Sequence, residues 1–533
     1  MKFKILSSLS KVFPDEICSE HEITVLTALK DEYASFQIAV MSDSDGDFDV
    51  AFDTKVTGLF SQMFVPVGLA APEDRDDYFI RDAKSGDYPD ALVPFSGKIT
   101  LKKGEWTALW CKFNPDKMLD AGKYDVKITI GDTTVELPCE VMNASTGEQK
   151  LACTHWFHTD CLASYYNVEI FSEEYWQIVE NFMRGAVNHG INAILTPLFT
   201  PPLDTEVGGE RPTVQLVDVY RHAHNKYTFG FDRLKRWVEL ADKCGVRYFE
   251  MSHLFTQWGA KHAPKIMAET AGGYKRIFGW ETNAHSQGYT NFLRQFAPEL
   301  IKFIDEAGIR ERCIFHTSDE PSMTDYFHYK KSAKVMKELF GEFKMIDALS
   351  KFVFYKNGLI KTPVPSIEHI ENFAGKVEEL WTYYCCGPYK NNLPNRFISM
   401  PSLRNRILGF IMYKYNVKGF LQWGYNFYFT QYSKGKINPF EVTDAGGAFS
   451  SGDAFVVYPG EDKHPLASLR FEVFYDAIKD YEALVALENK IGRENTLAML
   501  ESGLHNPLAA ENYPKNEEWL ISKRNEINRM LAE

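Results

Sequence analysis

The sequence contains no apolar run approaching the roughly 20 residues that a bilayer-spanning helix requires, so no membrane span is expected. Positive charge is not in surplus either: 59 Lys and Arg stand against 72 Asp and Glu, a formal net charge of −13. The basic footprint of a nucleic-acid binder is missing, and a polyanionic substrate would be repelled overall, which leaves a neutral or small ligand. The nine cysteines are odd in number and lack CxxC spacing, so neither a disulfide framework nor a zinc ribbon is indicated. The adjacent Cys385 and Cys386 have no His or Cys partner at ligand spacing, and no metal or cofactor is expected. The first 20 residues, "MKFKILSSLSKVFPDEICSE", hold no sustained apolar stretch and no small-x-small cleavage site, so a cytoplasmic protein is expected. No phosphate-binding glycine loop, HExxH or GxSxG elbow occurs, which sets aside nucleotide chemistry, zinc peptidases and serine hydrolases of that form.

What is present is a large aromatic stock within 533 residues: 39 Phe, 27 Tyr and 10 Trp. Aromatic rings fill cores, and they also stack on the C–H faces of pyranose sugars. The length suggests more than one domain. Residues 1–148 read as an antiparallel β-sandwich, with "TIGDTTVEL" as a hairpin signal around Gly131-Asp132 and "NASTGEQK" (143–150) as a polar linker. From 149 the rhythm becomes strand-then-helix. Strand candidates at 151–158, 192–199, 246–255, 313–321, 343–350, 362–367, 378–386 and 417–429 interleave with amphipathic segments such as 172–190, where Ser172 is a candidate N-cap and Gly190 a candidate C′ residue. Eight such units predict an α/β chain with a (β/α)₈ barrel over 149–465. Residues 466–533 are expected to pack helically on the barrel's outside.

In such a barrel the residues at the C-terminal ends of the strands form the site. His155, Trp156, His158 and Asp160 lie near the end of the first strand, Asn192 belongs to the second, and His253 and Trp258 follow the third. Asp319 and Glu320 end the fourth, Tyr383 and Tyr384 the seventh, and Gln422, Trp423, Gly424 and Tyr425 the eighth. Taken singly, a histidine is more often structural, Trp423 or Tyr383 can be barrel filling, and Asp319 can cap the following helix. Their convergence on one rim favours a site.

Retaining glycosidases of the usual kind hold two carboxyl groups about 5–5.5 Å apart on opposite sides of the scissile bond, and inverting ones about 6.5–9.5 Å apart. Adjacent residues have Cα atoms about 3.8 Å apart and, in a regular strand, point to opposite faces. Neighbours therefore flank a bond poorly. A different division of labour suits them: Glu320 as general acid, and Asp319 accepting the N–H of a substrate's 2-acetamido group whose oxygen attacks C1. Apolar surroundings and a neighbouring carboxylate both raise the pKa that such an acid needs.

The motifs "HTSDEPS" (316–322), "GFLQWGYNFY" (419–428), "GDAFVVYPG" (452–460), "SLRFEVFYDAIKDYEAL" (468–484) and "DEYASFQIAV" (31–40) resemble those of glycoside hydrolase family 123 and the related domain of unknown function 4091. That resemblance implies a β-sandwich followed by a (β/α)₈ barrel. It also implies a retaining, exo-acting β-N-acetylgalactosaminidase that uses substrate-assisted catalysis. It would make Asp319 the acetamido-polarising residue and Glu320 the general acid/base, with Asn192, His253, Trp258, Tyr383, Tyr384, Trp423 and Tyr425 lining the sugar subsite. The implied partner is a β-GalNAc-terminated glycan or glycolipid. The insertions 199–230 and 256–288 are candidates for shaping the pocket or a homo-oligomer interface. Two alternatives stand beside this reading. One is a glycosidase for another β-linked sugar, with Asp160 or Glu250 as nucleophile; the other is a non-catalytic carbohydrate-binding protein.

Overall fold

The computed structural model describes residues 1–70 and 79–533. Its N-terminal part is two packed five-stranded sheets. One holds Lys2–Ser7, Ala34–Met41, Trp106–Phe113, Thr57–Val67 and Gly86–Pro94 in spatial order; the other holds Leu26–Leu29, Thr133–Met142, Gly122–Ile130, Gly46–Phe52 and Lys98–Leu101. Gly122–Ile130 and Thr133–Met142 form the expected hairpin, with Gly131 at φ +57 as the first residue of a two-residue loop. Leu26–Leu29 departs from the antiparallel expectation, pairing parallel with Cys139–Met142. Phe36, Ile38, Leu109, Val126, Ile128 and Leu137 fill the space between the sheets. The first sheet is also buried on its far face, where Val65, Tyr88, Leu92 and Trp110 join the barrel's core.

The barrel strands are β1 (Ala152–His155), β2 (Ala193–Thr196), β3 (Tyr248–Met251), β4 (Cys313–Phe315), β5 (Lys344–Ala348), β6 (Thr362–Val364), β7 (Leu380–Tyr383) and β8 (Val417–Gln422). They run parallel in the order β6-β5-β4-β3-β2-β1-β8-β7. A parallel bridge between Ser366 and Tyr383 and the bond from the Tyr383 N–H to the Pro365 carbonyl (3.1 Å) bring β6 and β7 together and nearly close the ring. Side chains alternate as strand geometry demands. Ile314, Ile346, Trp381 and Leu421 point into the lumen, while Cys153, Phe315 and Phe420 pack against the helical layer. Gly419 on β8 lies so close to Trp381 of β7 that a Cβ would stand 2.1 Å from its indole ring.

Helix Glu173–Asn188 shows how local chemistry sets the boundaries. The Ser172 side chain accepts the Tyr175 N–H at its start. At its end Gly190, φ +83, donates to Val187 and Ile191 donates to Ala186, the paired bonds of a Schellman ending. After β5 and β6 the helices shrink to Phe352–Lys356 and a 3₁₀ turn, Ile367–Asn372, which is why these units read weakly in sequence. Helix Leu469–Ile491 follows β8 and lies against β8 and β1: Tyr481 donates to the Val417 carbonyl, and Glu482 accepts from the N–H groups of Lys150 and Leu151. It is buried through most of its length, because the sandwich covers its other side.

The insertions after β2 and β3 fold together. Tyr227–Gly230, Asp218–Arg221, Ile266–Thr270 and Gly273–Phe278 form one four-stranded sheet, two strands from each insertion. Among the described residues no helix is long and apolar enough to cross a membrane.

Candidate active site

Beyond β4 the segment 316–321 carries the two carboxylates. The buried Asp347, on β5, grips it from beneath: its Oδ1 accepts from the N–H groups of Thr317 (2.8 Å) and Ser318 (3.1 Å), and its Oδ2 accepts from the Tyr329 hydroxyl. The Trp258 N–H donates to the Asp319 carbonyl and the Glu320 N–H to the Ala348 carbonyl, both at 2.9 Å. Between these clamps Glu320 adopts φ +43, a left-handed conformation that costs a non-glycine residue on the order of 1 kcal/mol. The gain is directional. Neighbours in an extended strand would diverge, whereas here Asp319 and Glu320 line one cleft.

The cleft, about 620 Å³ including the part open to solvent, has aromatic walls of Trp156, Trp258, Tyr383, Trp423 and Phe449. Three of these rings are oriented by carboxylates. Trp156 Nε1 donates to Glu250 (2.7 Å), Trp423 Nε1 to Asp453 (2.9 Å), and the Tyr383 hydroxyl to Glu320 Oε1. Asp453 belongs to the "GDAFVVYPG" motif, so that motif supports a cleft wall from behind. Such a pocket, apolar on its faces with a few convergent polar groups, is the usual form of a small-ligand site.

Below the floor lies a buried ionic layer. Glu250 accepts from the Thr154 hydroxyl and from Trp156, and it contacts His316 Nε2 at 2.6 Å. His316 Nδ1 is 3.7 Å from Asp347. Burial opposes charge on His316, but Asp347 and Glu250 outweigh it and lift its pKa to about 9, so an imidazolium sits beneath the pair. Burial pushes the Asp319 carboxyl well above the usual carboxylate range, Glu320 adds to this, and His316 opposes it. Glu320 is reachable by solvent through the cleft, yet desolvation is still the largest cause of its raised pKa; the Tyr383 bond opposes the rise and Glu368 adds to it. Desolvation thus makes both neighbouring carboxyls harder to ionise than they are in water.

Asp319, Glu320, Trp258, Tyr383 and Trp423 are thus brought together. Asn192 is not. It precedes β2 at the N-terminal end of the barrel, where its amide bridges the Cys153 N–H (2.8 Å) and the Leu151 carbonyl (2.9 Å). His253 lies under the floor, 1% exposed, stacked on His316 at 4.3 Å and edge-on to Trp156. Tyr384 follows the inward Tyr383 and so turns outward, its hydroxyl on Asn405 and its ring against Phe420. Tyr425 likewise leaves the lumen, its hydroxyl donating to the Phe182 carbonyl (3.0 Å). Asp160 is locked in a two-point ion pair with Arg211, both bonds at 2.7 Å, and Glu250 is fully buried. Sequence reading missed Asp204 and Gln257, which come from the insertions and have no strand-end signal to mark them; both line the cleft, as do Cys385 and Cys386. Among the described residues no group of three or more His, Cys, Asp or Glu is arranged to hold a metal ion.

Residues 156–487 match the family model described as the glycoside hydrolase 123 catalytic domain. Among solved structures, the chain is similar to a family 123 glycoside hydrolase from Clostridium perfringens, studied for glycolipid glycan hydrolysis. The TM-score is 0.73 at 15% identity, covering 99% of this chain and 98% of that one. An FMN-binding β-glucuronidase from Faecalibacterium prausnitzii L2-6 aligns over 90% of this chain and 61% of that one, at 11% identity and a TM-score of 0.33, too distant to carry weight. Among curated protein sequences there is no match.

Proposed function

Since the chain belongs to glycoside hydrolase family 123, we propose that it is a retaining, exo-acting β-N-acetylgalactosaminidase in which the substrate's own 2-acetamido oxygen is the nucleophile. The observation that carries this reading is the left-handed turn at Glu320, which gives two adjacent carboxyls one cleft. Protonated Glu320 donates to the glycosidic oxygen as the C1–O bond breaks. Asp319 as carboxylate accepts the acetamido N–H, which makes the acetamido oxygen a better nucleophile toward C1. The imidazolium of His316 favours charge on Asp319, opposing the burial and neighbouring carboxylates that resist it. The resulting oxazoline is opened by a water whose proton goes to Glu320, so the acid is regenerated and the anomeric configuration is retained. Trp258, Tyr383 and Trp423 hold the sugar by its faces and edges.

A glycosidase using a separate nucleophilic carboxylate is disfavoured for the two residues first considered, since Asp160 is bound by Arg211 and Glu250 is enclosed. A purely sugar-binding protein would have no use for a carboxyl held against ionisation at that strand end. Preference for GalNAc rests on the family resemblance, and a glycan or glycolipid bearing it is the proposed substrate class. The deciding experiment compares chromogenic β-GalNAc, β-GlcNAc and β-Gal glycosides, with a thiazoline mimic of the intermediate as inhibitor. The expected result is turnover of the β-GalNAc substrate and tight thiazoline inhibition; preferential turnover of the plain galactoside, with no inhibition, would sink the reading.

A further inference from the structure

The two insertions that share the small sheet also share a wall of the cleft. Asp204 comes from the first and Gln257 from the second, and they touch: the Asp204 N–H donates to Gln257 Oε1 at 2.9 Å. This bond uses the acceptor end of the amide. Among the described residues the donor end, Nε2, has no partner, although Gln257 is only 5% exposed and lines the cleft. A buried donor left unpaired in a site is a place where a ligand acceptor belongs. Asp204 is held just as firmly. Its carbonyl accepts from the Ser433 hydroxyl (2.7 Å), its Oδ2 accepts from the Tyr432 N–H (3.1 Å), and its backbone is left-handed at φ +40. No other hydrogen bond to its carboxylate is present among the described residues, so lone pairs remain for a ligand. Burial lifts its pKa to about 6, with the Tyr432 N–H and Arg211 opposing. The carboxylate therefore sits where a hydrogen bond counts for more than it does in water.

An unpaired amide donor beside a carboxylate acceptor is complementary to a hydroxyl, which both accepts and donates. We infer that Asp204 and Gln257 form a hydroxyl receptor for the terminal sugar, reading its ring edge at C3 and C4 and excluding sugars that are substituted there. The place on the ring follows from the chain. Gln257 precedes Trp258, whose N–H is bonded to the Asp319 carbonyl, so it lies on the side of the residue that addresses the C2 substituent. The next ring positions on that side are C3 and C4. The inference rests on the glycosidase reading above and deepens it: the insertions, rather than the barrel strands, would select an unextended terminal sugar and so enforce exo action.

The test crosses variants with substrates. For the wild type, Asp204→Ala and Gln257→Glu, kcat/KM is measured on an aryl β-GalNAc glycoside and on its 3-deoxy and 4-deoxy analogues. Gln257→Glu keeps the acceptor that holds the Asp204 N–H and replaces the amide donor with a carboxylate oxygen, which repels rather than donates. Each variant should lose about 100-fold or more on the parent sugar, as expected when a polar site meets an unpaired group. On the analogue lacking the hydroxyl that the residue reads, the loss should shrink to about threefold or less. Equal losses on all three substrates would overturn the inference, pointing to a structural or nucleophilic role, while leaving the hydrolase reading intact. Calorimetric binding of free GalNAc and its 3-deoxy and 4-deoxy forms supplies a readout independent of turnover. If the wild type binds a deoxy sugar as tightly as GalNAc, the receptor is refuted even for an enzyme whose preferred aglycone is unknown.

Discussion

At the junction of sandwich and barrel, Glu472 on the long buried helix is surrounded by donors: Lys112 at 2.7 Å, His189 at 2.8 Å and the Tyr33 hydroxyl at 3.0 Å. At the cleft, Glu320 accepts from the Tyr383 hydroxyl and has a second carboxyl as its neighbour in sequence. Burial raises both pKa values. At the junction Lys112 and His189 outweigh it and hold the Glu472 carboxyl at about 2; in the cleft nothing of comparable strength does, and Glu320 stays raised. Desolvation alone thus assigns no role to a carboxylate. What distinguishes a structural anion from the proposed acid catalyst here is whether cations were placed within reach, and His316, which opposes the rise at Asp319, is already engaged by Glu250 and Asp347.

The contrast can be broken most forcefully at the cleft. Glu320→Gln should lower kcat on a β-GalNAc substrate by about 10²–10⁴-fold, the worth of a positioned general acid, with ligand binding retained. Asp319→Asn should be nearly as damaging and should also abolish thiazoline inhibition. Full activity in either variant would remove the pair from the mechanism. At the junction the same isosteric change should act on folding instead. Glu472→Gln strands Lys112 and His189 in a buried setting and should cost about 3–5 kcal/mol in denaturant unfolding, leaving the kcat of the folded fraction close to wild type. A variant with impaired kcat and normal stability would reverse the assignment.

The smallest effect is in pH dependence, where the two regions should differ in sign. The depressed pKa of Glu472 contributes stability that is complete above its unfolded value of about 4.3 and is lost as pH falls toward about 2. The raised pKa values of Asp319 and Glu320 favour the folded state most below their unfolded values, and that contribution fades as pH rises through their folded ones. Comparing Glu472→Gln with Asp319→Asn, the first should flatten the profile below about pH 4.3 and the second the profile above the unfolded Asp value of about 3.9. Identical profiles would dissolve the distinction.

Much of the architecture was legible before the structure. Alternating strand and helix signals located all eight barrel strands, and "HTSDEPS" located the acid pair at a strand end. What could not be read was direction. Tyr383 and Tyr384 look equivalent in sequence, but one step along a strand turns a side chain from lumen to helical layer. Asn192 opens the strand candidate 192–199 and in the structure immediately precedes β2, at the end of the barrel away from the site. The left-handed backbone at Glu320 depends on the clamps from Trp258 and Ala348, which are distant in sequence. Asp204 and Gln257 escaped notice because their placement depends on a sheet assembled from two separate insertions.

That shared sheet makes the two insertions a single cassette. Shortening one would strip the other of its pairing partner at Tyr220 and Glu269 and would break the contact between Asp204 and Gln257 together with it. Loop exchange aimed at a new sugar preference would therefore have to transplant both segments as a unit, and a graft of either alone should yield an intact barrel with an unfinished rim.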